Sequence, residues 1–335
     1  MSKLKYGVQF ISLGLLMTSI SLRSAESDAP AEPKPAETAS RTVEDGGTGP
    51  YTAVMVGDST LPTHTVFRPK DLSAFGEKAR LPIIAWGNGG CADSPQGHLN
   101  FLSEVASHGF LVIAIGPMQQ AGASRRGGGG MAEGAGGARG AGGARGRGGA
   151  GGGGGAASLL TDAIDWAIAQ NSNTNSQYFN KIDTNKVAVS GMSCGGLQAL
   201  AVAHDPRVTT AMICNSGIVG GGGGGMGGMP SLSKSHLEKL HAPIIYILGG
   251  ESDIAYANGM DDFRQIKSVP AFTANLSVGH GGTYMRPHGG EFAIVAKAWL
   301  QWQLKGDKEA AKMFEGDPCG LSKREGWKVE KKNIP

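Results

Sequence analysis

A serine between two glycines is the residue of this chain best suited to chemistry. The segment 186–200 has the sequence KVAVSGMSCGGLQAL, and residues 191–195 match the pattern G-x-S-x-G, in which a serine occupies a sharp turn between a strand and a helix. Glycine lacks Cβ, so it permits the close backbone packing that such a turn requires. We therefore predict a strand over 186–190, a helix from 196 onward, and Ser193 as a nucleophile at the apex of the turn.

The serine needs partners. A serine hydroxyl is a weak nucleophile at neutral pH, so it requires a base, and the base requires an acid that holds it in the correct tautomer. In open α/β sheets such groups come from loops at the carboxyl ends of strands. Asp253 follows the apolar run 243–248, and His280 follows the run 271–278. The chain order Ser193, Asp253, His280 is typical of hydrolases with this serine turn.

Each partner has an alternative. Glu251 lies nearer the end of its strand and is a second candidate acid, in which case Asp253 would cap the next helix. His288 is a second candidate base, but residues 287–290 have the pattern of a helix start, which favours a surface role for His288. The other histidines do not follow a suitable strand, and we expect them to be structural or exposed.

A site for an oxyanion is predicted from two backbone segments. The amide of Cys194 lies at a helix start, where N–H groups lack an intrahelical partner. The strand 81–86 ends in the loop Gly-Asn-Gly-Gly-Cys at 87–91. In that loop, Asn88 or Gly89 can supply the second N–H.

The four cysteines are Cys91, Cys194, Cys214 and Cys319. They suit an oxidising compartment and allow three pairings. Cys91 follows the candidate oxyanion loop and Cys194 follows the serine, so both should lie at the same rim. We predict a disulfide between these two, with a pair of buried thiols as the alternative.

The N-terminal 25 residues have the layout of a secretory signal. Lys3 and Lys5 precede a mostly apolar run at 7–22, which is followed by small residues. An uncleaved anchor is the alternative, but the run is short for a bilayer. We expect a secreted or periplasmic protein with no stable membrane insertion after signal removal. Residues 26–48 are rich in Pro, Ala, Glu and Ser, which predicts a disordered linker.

Net charge does not indicate a polyanionic partner. The formal charge is +3, but Lys3, Lys5 and Arg23 belong to the predicted signal, and 3 − 3 leaves the mature chain near neutral. We therefore expect no nucleic acid partner.

The remaining pattern predicts one α/β domain over 49–335. Apolar runs predict strands at 53–56, 64–67, 81–86, 110–115, 186–190, 209–214, 243–248 and, last, 271–278, and helical spacing predicts helices at 98–107, 159–169 and 291–304. The first two strands should form an edge hairpin. Alternating strands and helices indicate a mainly parallel central sheet with helices on both faces. We expect the charged tail from 307 to lie across the surface, anchored at Trp327.

Two glycine-rich stretches interrupt this pattern. Glycine makes up more than half of residues 122–155, with scattered arginines, and a second run occupies 220–228. We expect disordered surface loops, since such segments bury little apolar surface. Arginine-glycine tracts can bind single-stranded nucleic acid, but this one lacks aromatic residues. Neither run has a G-K-[ST] ending, and no His, Cys or acidic cluster has metal-ligand spacing, so we expect no cofactor and no metal.

Four motifs in this order resemble a known group of enzymes. The segments 87–91, 191–196, 249–253 and 280–284, the last preceding the helix 291–304, are similar to those of secreted α/β-hydrolases related to dienelactone hydrolases, cutinase-like polyester hydrolases and chlorophyllases. The resemblance covers about 47–327 apart from the glycine runs. It implies Ser193 as nucleophile, Asp253 rather than Glu251 as acid, His280 as base, and Cys194 as an oxyanion donor.

The chain departs from that group in two places. Polyester hydrolases usually carry an aromatic residue in the oxyanion loop and a tryptophan after the strand that follows the serine turn. Asn88 and the pair at 215–216 stand there instead, which argues against efficient action on aromatic polyesters. The closely spaced C-terminal cysteine pair of the group is reduced to Cys319.

These patterns lead to the expectation of a serine esterase. It would hydrolyse a small-molecule or polymeric carboxylic ester through an acyl-enzyme. Lactone, amide or acyl-transfer chemistry with the same triad is an alternative. A binding protein without catalytic activity, contacting a polyanion through its arginine-glycine loop, is an alternative of a different class.

Overall fold

The computed structural model describes residues 1–2, 39–119, 155–220 and 229–335. The chain divides into the units Met1–Lys34 and Pro35–Pro335, and the fold below belongs to the second. Residues 3–25 of the predicted signal and nearly all of the glycine-rich stretches at 122–155 and 220–228 lie outside the described residues.

The described residues form a ten-stranded sheet in the order β1-β2-β3-β5-β4-β6-β7-β8-β9-β10. The strands are β1 Ala39–Arg41, β2 Ala53–Gly57, β3 His64–Pro69, β4 Leu81–Gly87, β5 Leu111–Ile115, β6 Ile182–Met192, β7 Val208–Cys214, β8 Ile244–Leu248, β9 Ala271–Leu276 and β10 Trp327–Lys332. The helices are α1 Leu99–Ser107, α2 Gly155–Ser172, α3 Cys194–Val202, α4 Tyr256–Gln265, α5 Gly290–Lys305 and α6 Lys308–Ala311.

The centre of the sheet is parallel and its flanks are antiparallel. Each neighbouring pair from β5 through β4, β6, β7 and β8 to β9 is parallel. The strands β1 to β3 join one side, and β10 joins the other, by antiparallel pairing. The prediction of an α/β fold with a mainly parallel sheet is therefore confirmed.

The apolar strand sequences are explained by cores on both faces of the sheet. All residues of β4 are buried, and they alternate, with Ile83 and Ala85 in one apolar cluster and Ile84 and Trp86 in another. Residues of α2, α3 and α4 join the first cluster, and residues of α1 and α5 join the second. Strands covered in this way need apolar side chains at successive positions. No helix among the described residues has the length and apolar character to cross a membrane.

The predicted last strand at 271–278 is not the edge of the sheet. It corresponds to β9, which pairs with β10, so the prediction that the tail from 307 lies across the surface is wrong for Trp327–Lys332. Trp327 is buried at the start of β10, whereas Lys328 is exposed. Charged outward-facing residues are common on edge strands because they prevent further pairing. They also hide the strand pattern in the sequence WKVEKK.

The predicted linker at 26–48 extends too far. Ala39–Arg41 forms β1 and pairs with β2, so the hairpin of β2 and β3 is one strand in from the edge. Val43 is buried in the apolar cluster that contains α1 and α5, and the Glu44 carboxylate accepts a hydrogen bond from the His288 amide at 2.8 Å. Backbone pairing and a few contacts order this stretch, and neither depends on its average composition.

Candidate active site

Ser193 lies at a turn between β6 and α3, where the sequence pattern places it. Its backbone angles are φ 55° and ψ −115°, a region that residues with a side chain rarely occupy. Strain of this kind persists only where the surroundings determine the conformation. Here the Ser193 amide donates to the Cys214 carbonyl at 2.9 Å, and the Ser216 hydroxyl donates to the Ser193 carbonyl at 2.7 Å.

The glycines of the turn are required by close packing of the backbone. A Cβ on Gly195 would lie 2.0 Å from the Gly87 carbonyl oxygen, and a Cβ on Gly191 would lie 2.3 Å from the Gly195 carbonyl oxygen. The start of α3 therefore contacts the end of β4 directly. This contact brings the predicted oxyanion loop next to the serine.

Ser193, His280 and Asp253 form a continuous hydrogen-bonded row. The distance from His280 Nε2 to Ser193 Oγ is 3.0 Å, and the distance from His280 Nδ1 to Asp253 Oδ1 is 2.6 Å. An ionised carboxylate only accepts hydrogen bonds, so the imidazole proton lies on Nδ1. Nε2 is then left with a lone pair facing the serine hydroxyl, which is the tautomer that a general base needs.

The structure also locates the alternative acid, Glu251, and the alternative base, His288. Glu251 is exposed to solvent, whereas Asp253 is only 3% exposed and contacts the imidazole. His288 lies beside the segment between β1 and β2, with Nδ1 3.4 Å from a carboxylate oxygen of Glu44. His280 rather than His288 therefore contacts Ser193, and Asp253 rather than Glu251 contacts His280.

The Asp253 carboxylate is held by several donors. Oδ1 accepts from the Ala255 amide at 2.9 Å, and Oδ2 accepts from the Gly249 amide at 3.0 Å and from Asn215 Nδ2 at 2.8 Å. Burial by itself would raise the pKa of Asp253, but the hydrogen bond with His280 and those from these donors outweigh it and lower the pKa. The carboxylate thus stays ionised beside the imidazole.

Two residues of this network were not predicted. Asn215 follows β7 directly, and Tyr284 lies four positions after His280; the Tyr284 hydroxyl donates to Asn215 Oδ1 at 2.5 Å. In the sequence, Asn215 is noted only as part of the pair that stands where polyester hydrolases usually carry a tryptophan. A polar residue directly after a buried parallel strand was the available signal, because strand ends of this kind converge at one edge of the sheet.

The predicted oxyanion segments lie on either side of Met192 and Ser193. Cys194 is the first residue of α3, so its N–H has no partner within the helix. A Cβ on Gly89 would lie 2.6 Å from Met192 Sδ, which places the Gly89 backbone against the residue before the serine. 

Asn88 supports the loop with its side chain. Its Oδ1 accepts from Trp86 Nε1 at 3.1 Å, and its Nδ2 donates to the Ile115 carbonyl at 2.7 Å and to the Ala92 carbonyl at 2.9 Å. These bonds occupy the side-chain amide, so any oxyanion donor from Asn88 would be its backbone N–H.

The predicted disulfide between Cys91 and Cys194 is present, with the two Cα atoms 5.2 Å apart. It connects the short 3₁₀ turn Gly89–Cys91 to the first residue of α3. Cys214 and Cys319 are buried thiols. The two segments predicted to bind an oxyanion are therefore linked covalently.

A comparison of the chain with protein-family models gives no match. A comparison with curated proteins likewise finds no matching relative. What the site can do therefore follows from its own geometry. That geometry provides a hydroxyl whose proton an adjacent imidazole can accept, with a buried carboxylate that stabilises the resulting imidazolium.

Proposed function

We propose that this protein is a secreted serine esterase of the α/β-hydrolase class. The observation that supports the proposal most strongly is the row of contacts from Ser193 through His280 to Asp253, formed at a serine held in a strained turn. A carboxyl group that hydrogen-bonds an imidazole, which in turn reaches a serine hydroxyl, is the arrangement that activates serine in acyl transfer.

In the proposed reaction, Ser193 Oγ attacks the carbonyl carbon of an ester while His280 Nε2 takes the hydroxyl proton. The negative charge that develops on the carbonyl oxygen is stabilised by the Cys194 amide and by an amide of Asn88 or Gly89. When the tetrahedral intermediate collapses, the imidazolium returns the proton to the leaving alcohol. Water then attacks the acyl-serine with His280 as base, which releases the carboxylic acid and restores the hydroxyl.

The fold and the disulfide support the same proposal. A mainly parallel sheet with the serine turn after one central strand, and with the acid and base loops after later strands, suits the α/β-hydrolase class. The Cys91–Cys194 bridge suits an exported protein, since disulfides persist in oxidising compartments. In this proposal the glycine-rich stretches at 122–155 and 220–228 have no part in the reaction.

The test is hydrolysis of p-nitrophenyl acetate, butyrate and octanoate by the mature protein and by Ser193→Ala. We expect the substitution to lower turnover by at least about a thousandfold, because the nucleophile is lost while binding groups remain. A fluorophosphonate probe should label the wild type at Ser193, as located by peptide mass spectrometry.

Two outcomes would contradict the proposal. If wild type and Ser193→Ala are equally inert on every ester and neither is labelled, the protein is not a serine esterase, and a binding role becomes the better hypothesis. If Ser193→Ala keeps the activity, the nucleophile lies elsewhere. A panel of lactones and anilides run beside the esters separates ester hydrolysis from the related reactions.

A further inference from the structure

Asn215 occupies a constrained position at the end of β7. It is fully buried, its backbone angle φ is 43°, and its amide donates to the Ile247 carbonyl of β8 at 2.8 Å. The backbone is thus held between two neighbouring strands in a conformation that asparagine tolerates better than most residues. The Asn215 side chain therefore extends from a fixed backbone position at the edge of the sheet where Ser193 lies.

The two ends of the Asn215 amide have different partners. Nδ2 donates to Asp253 Oδ2 at 2.8 Å, and Oδ1 accepts from the Tyr284 hydroxyl at 2.5 Å. Reversing the amide would set its oxygen against the Asp253 carboxylate, and two acceptors without a proton between them repel each other. Burial raises the pKa of Tyr284 well above its usual value, so its hydroxyl remains a donor and favours the observed orientation.

These contacts join the loop that carries the acid to the loop that carries the base. Asp253 lies after β8, and Tyr284 lies four residues after His280 in the segment that follows β9. The Tyr284 ring is also fixed by edge-on contacts with Trp86 and Phe292, at centroid distances of 6.3 Å and 5.5 Å. The Tyr284–Asn215–Asp253 chain therefore connects the hydrophobic core to the carboxylate.

We propose that Asn215 and Tyr284 are positioning residues for this site: Tyr284 orients the Asn215 amide, and the amide holds the Asp253 carboxylate so that Oδ1 faces His280 Nδ1. The kinetic part of the proposal rests on the proposed esterase function. The structural part concerns only the hydrogen bond between Asp253 and His280, which can be measured without a substrate.

Removing the amide tests the first step. We expect Asn215→Ala to lower kcat by about ten- to a hundredfold, the range for a hydrogen bond to a charged group, with KM changed less than twofold. Asn215→Gly is the second variant, because glycine adopts positive φ without strain and preserves folding while it also lacks the amide. Both variants should weaken the far-downfield proton NMR signal of the hydrogen bond at His280 Nδ1.

Tyr284→Phe tests the second step. If Tyr284 acts through Asn215, the double variant Tyr284→Phe/Asn215→Ala should be no slower than Asn215→Ala alone. An additive loss in the double variant would show that Tyr284 acts independently and would overturn its assigned part.

Asn275→Ala is the matched control. Asn275 is a nearly buried amide in β9, 6% exposed, and its Nδ2 contacts Met260 Sδ at 3.6 Å, outside the row. We expect a smaller loss of thermal stability than in Asn215→Ala, because the contact of Asn275 Nδ2 with sulfur is weak, and we expect kcat and the NMR signal to be unchanged. The proposal is overturned if Asn275→Ala lowers kcat as much as Asn215→Ala, or if both Asn215 variants keep the NMR signal and kcat of the wild type. An inactive wild type would refute the esterase function, and the NMR comparison would still decide the positioning role.

Discussion

Ser193 is constrained mainly through its backbone. Positive φ at a residue with a side chain costs on the order of 1–3 kcal/mol. The Ser193 amide donates a hydrogen bond to Cys214, and the Ser193 carbonyl accepts one from Ser216, so the strained backbone is held in place. The hydroxyl consequently points toward His280 from a fixed turn rather than from a mobile loop. Asp253 is also held in place, because both of its carboxylate oxygens accept hydrogen bonds.

Asp253→Asn tests whether Asp253 is the acid of the site. The amide keeps the shape of the side chain but can no longer require a proton on His280 Nδ1, so the imidazole can present Nε2–H to the serine and fail as a base. We expect kcat for p-nitrophenyl butyrate to fall by about a thousandfold or more, with KM little changed. Glu251→Gln, at the exposed alternative acid, should stay within twofold of the wild type, and equal losses in the two variants would contradict the assignment.

The elements bring these residues together by their order in the sheet. Strands β6, β7, β8 and β9 are consecutive neighbours and all parallel. Ser193, Asn215, Asp253 and His280 each follow one of them, in the same order. Parallel strands end at a common edge, so residues far apart in the chain become adjacent in space. The row is therefore a property of the sheet topology.

The disulfide joins the turn Gly89–Cys91 to α3. Cys91→Ser removes a bond that joins residues 103 positions apart. We expect a loss of about 2–4 kcal/mol in the free energy of unfolding, measured by chemical denaturation without reductant. Turnover should fall as well, because the two proposed oxyanion donors lose their covalent connection.

Cys319→Ser provides the control for that experiment, since Cys319 is a buried thiol outside the bridge. Dithiothreitol should reduce the stability of the wild type toward that of Cys91→Ser and leave Cys91→Ser unaffected. Equal stability of the wild type with and without reductant would contradict a stabilising bridge.

Glu104 joins parts of the molecule that are distant in sequence, namely helix α1, which carries it, helix α5, and the segment between β1 and β2. This α1 carboxylate is 3% exposed; it accepts from the Thr48 amide at 2.7 Å and from His108 at 3.1 Å, and Lys297 of α5 lies 3.6 Å away. Burial alone would raise the pKa of Glu104, but the hydrogen bonds from His108 and Thr48 lower it to about 2 from 4.5.

This pKa predicts how stability depends on pH. A lowered pKa means that the folded state favours the ionised form, so the stabilisation is complete above the unfolded value of 4.5 and is lost as the pH falls toward 2. We expect the contribution to be about 3 kcal/mol. Glu104→Gln should therefore unfold more easily than the wild type at pH 7, and the difference should shrink between pH 4.5 and 2. A difference that stays constant over this interval would contradict the prediction.

Much of the scaffold could be predicted because its signals are local. Buried parallel strands require continuous apolar runs, and such runs located β4, β5, β7 and β8 to within a residue or two. The edge strands of the sheet were harder to predict from the sequence. β1 and β10 are held by pairing with a neighbour, and two of the four buried residues of α4 are Gly259 and Asp262, which give no apolar helical pattern.

By itself, the sequence determined the serine turn and the chain order of Ser193, Asp253 and His280, because the turn depends on glycines within five residues and the loops follow apolar strands. The tertiary structure decided between Asp253 and Glu251, paired Cys91 with Cys194, and introduced Asn215 and Tyr284. Those outcomes depend on which side chains meet where neighbouring strands end, and no local pattern encodes the distances between atoms on separate loops.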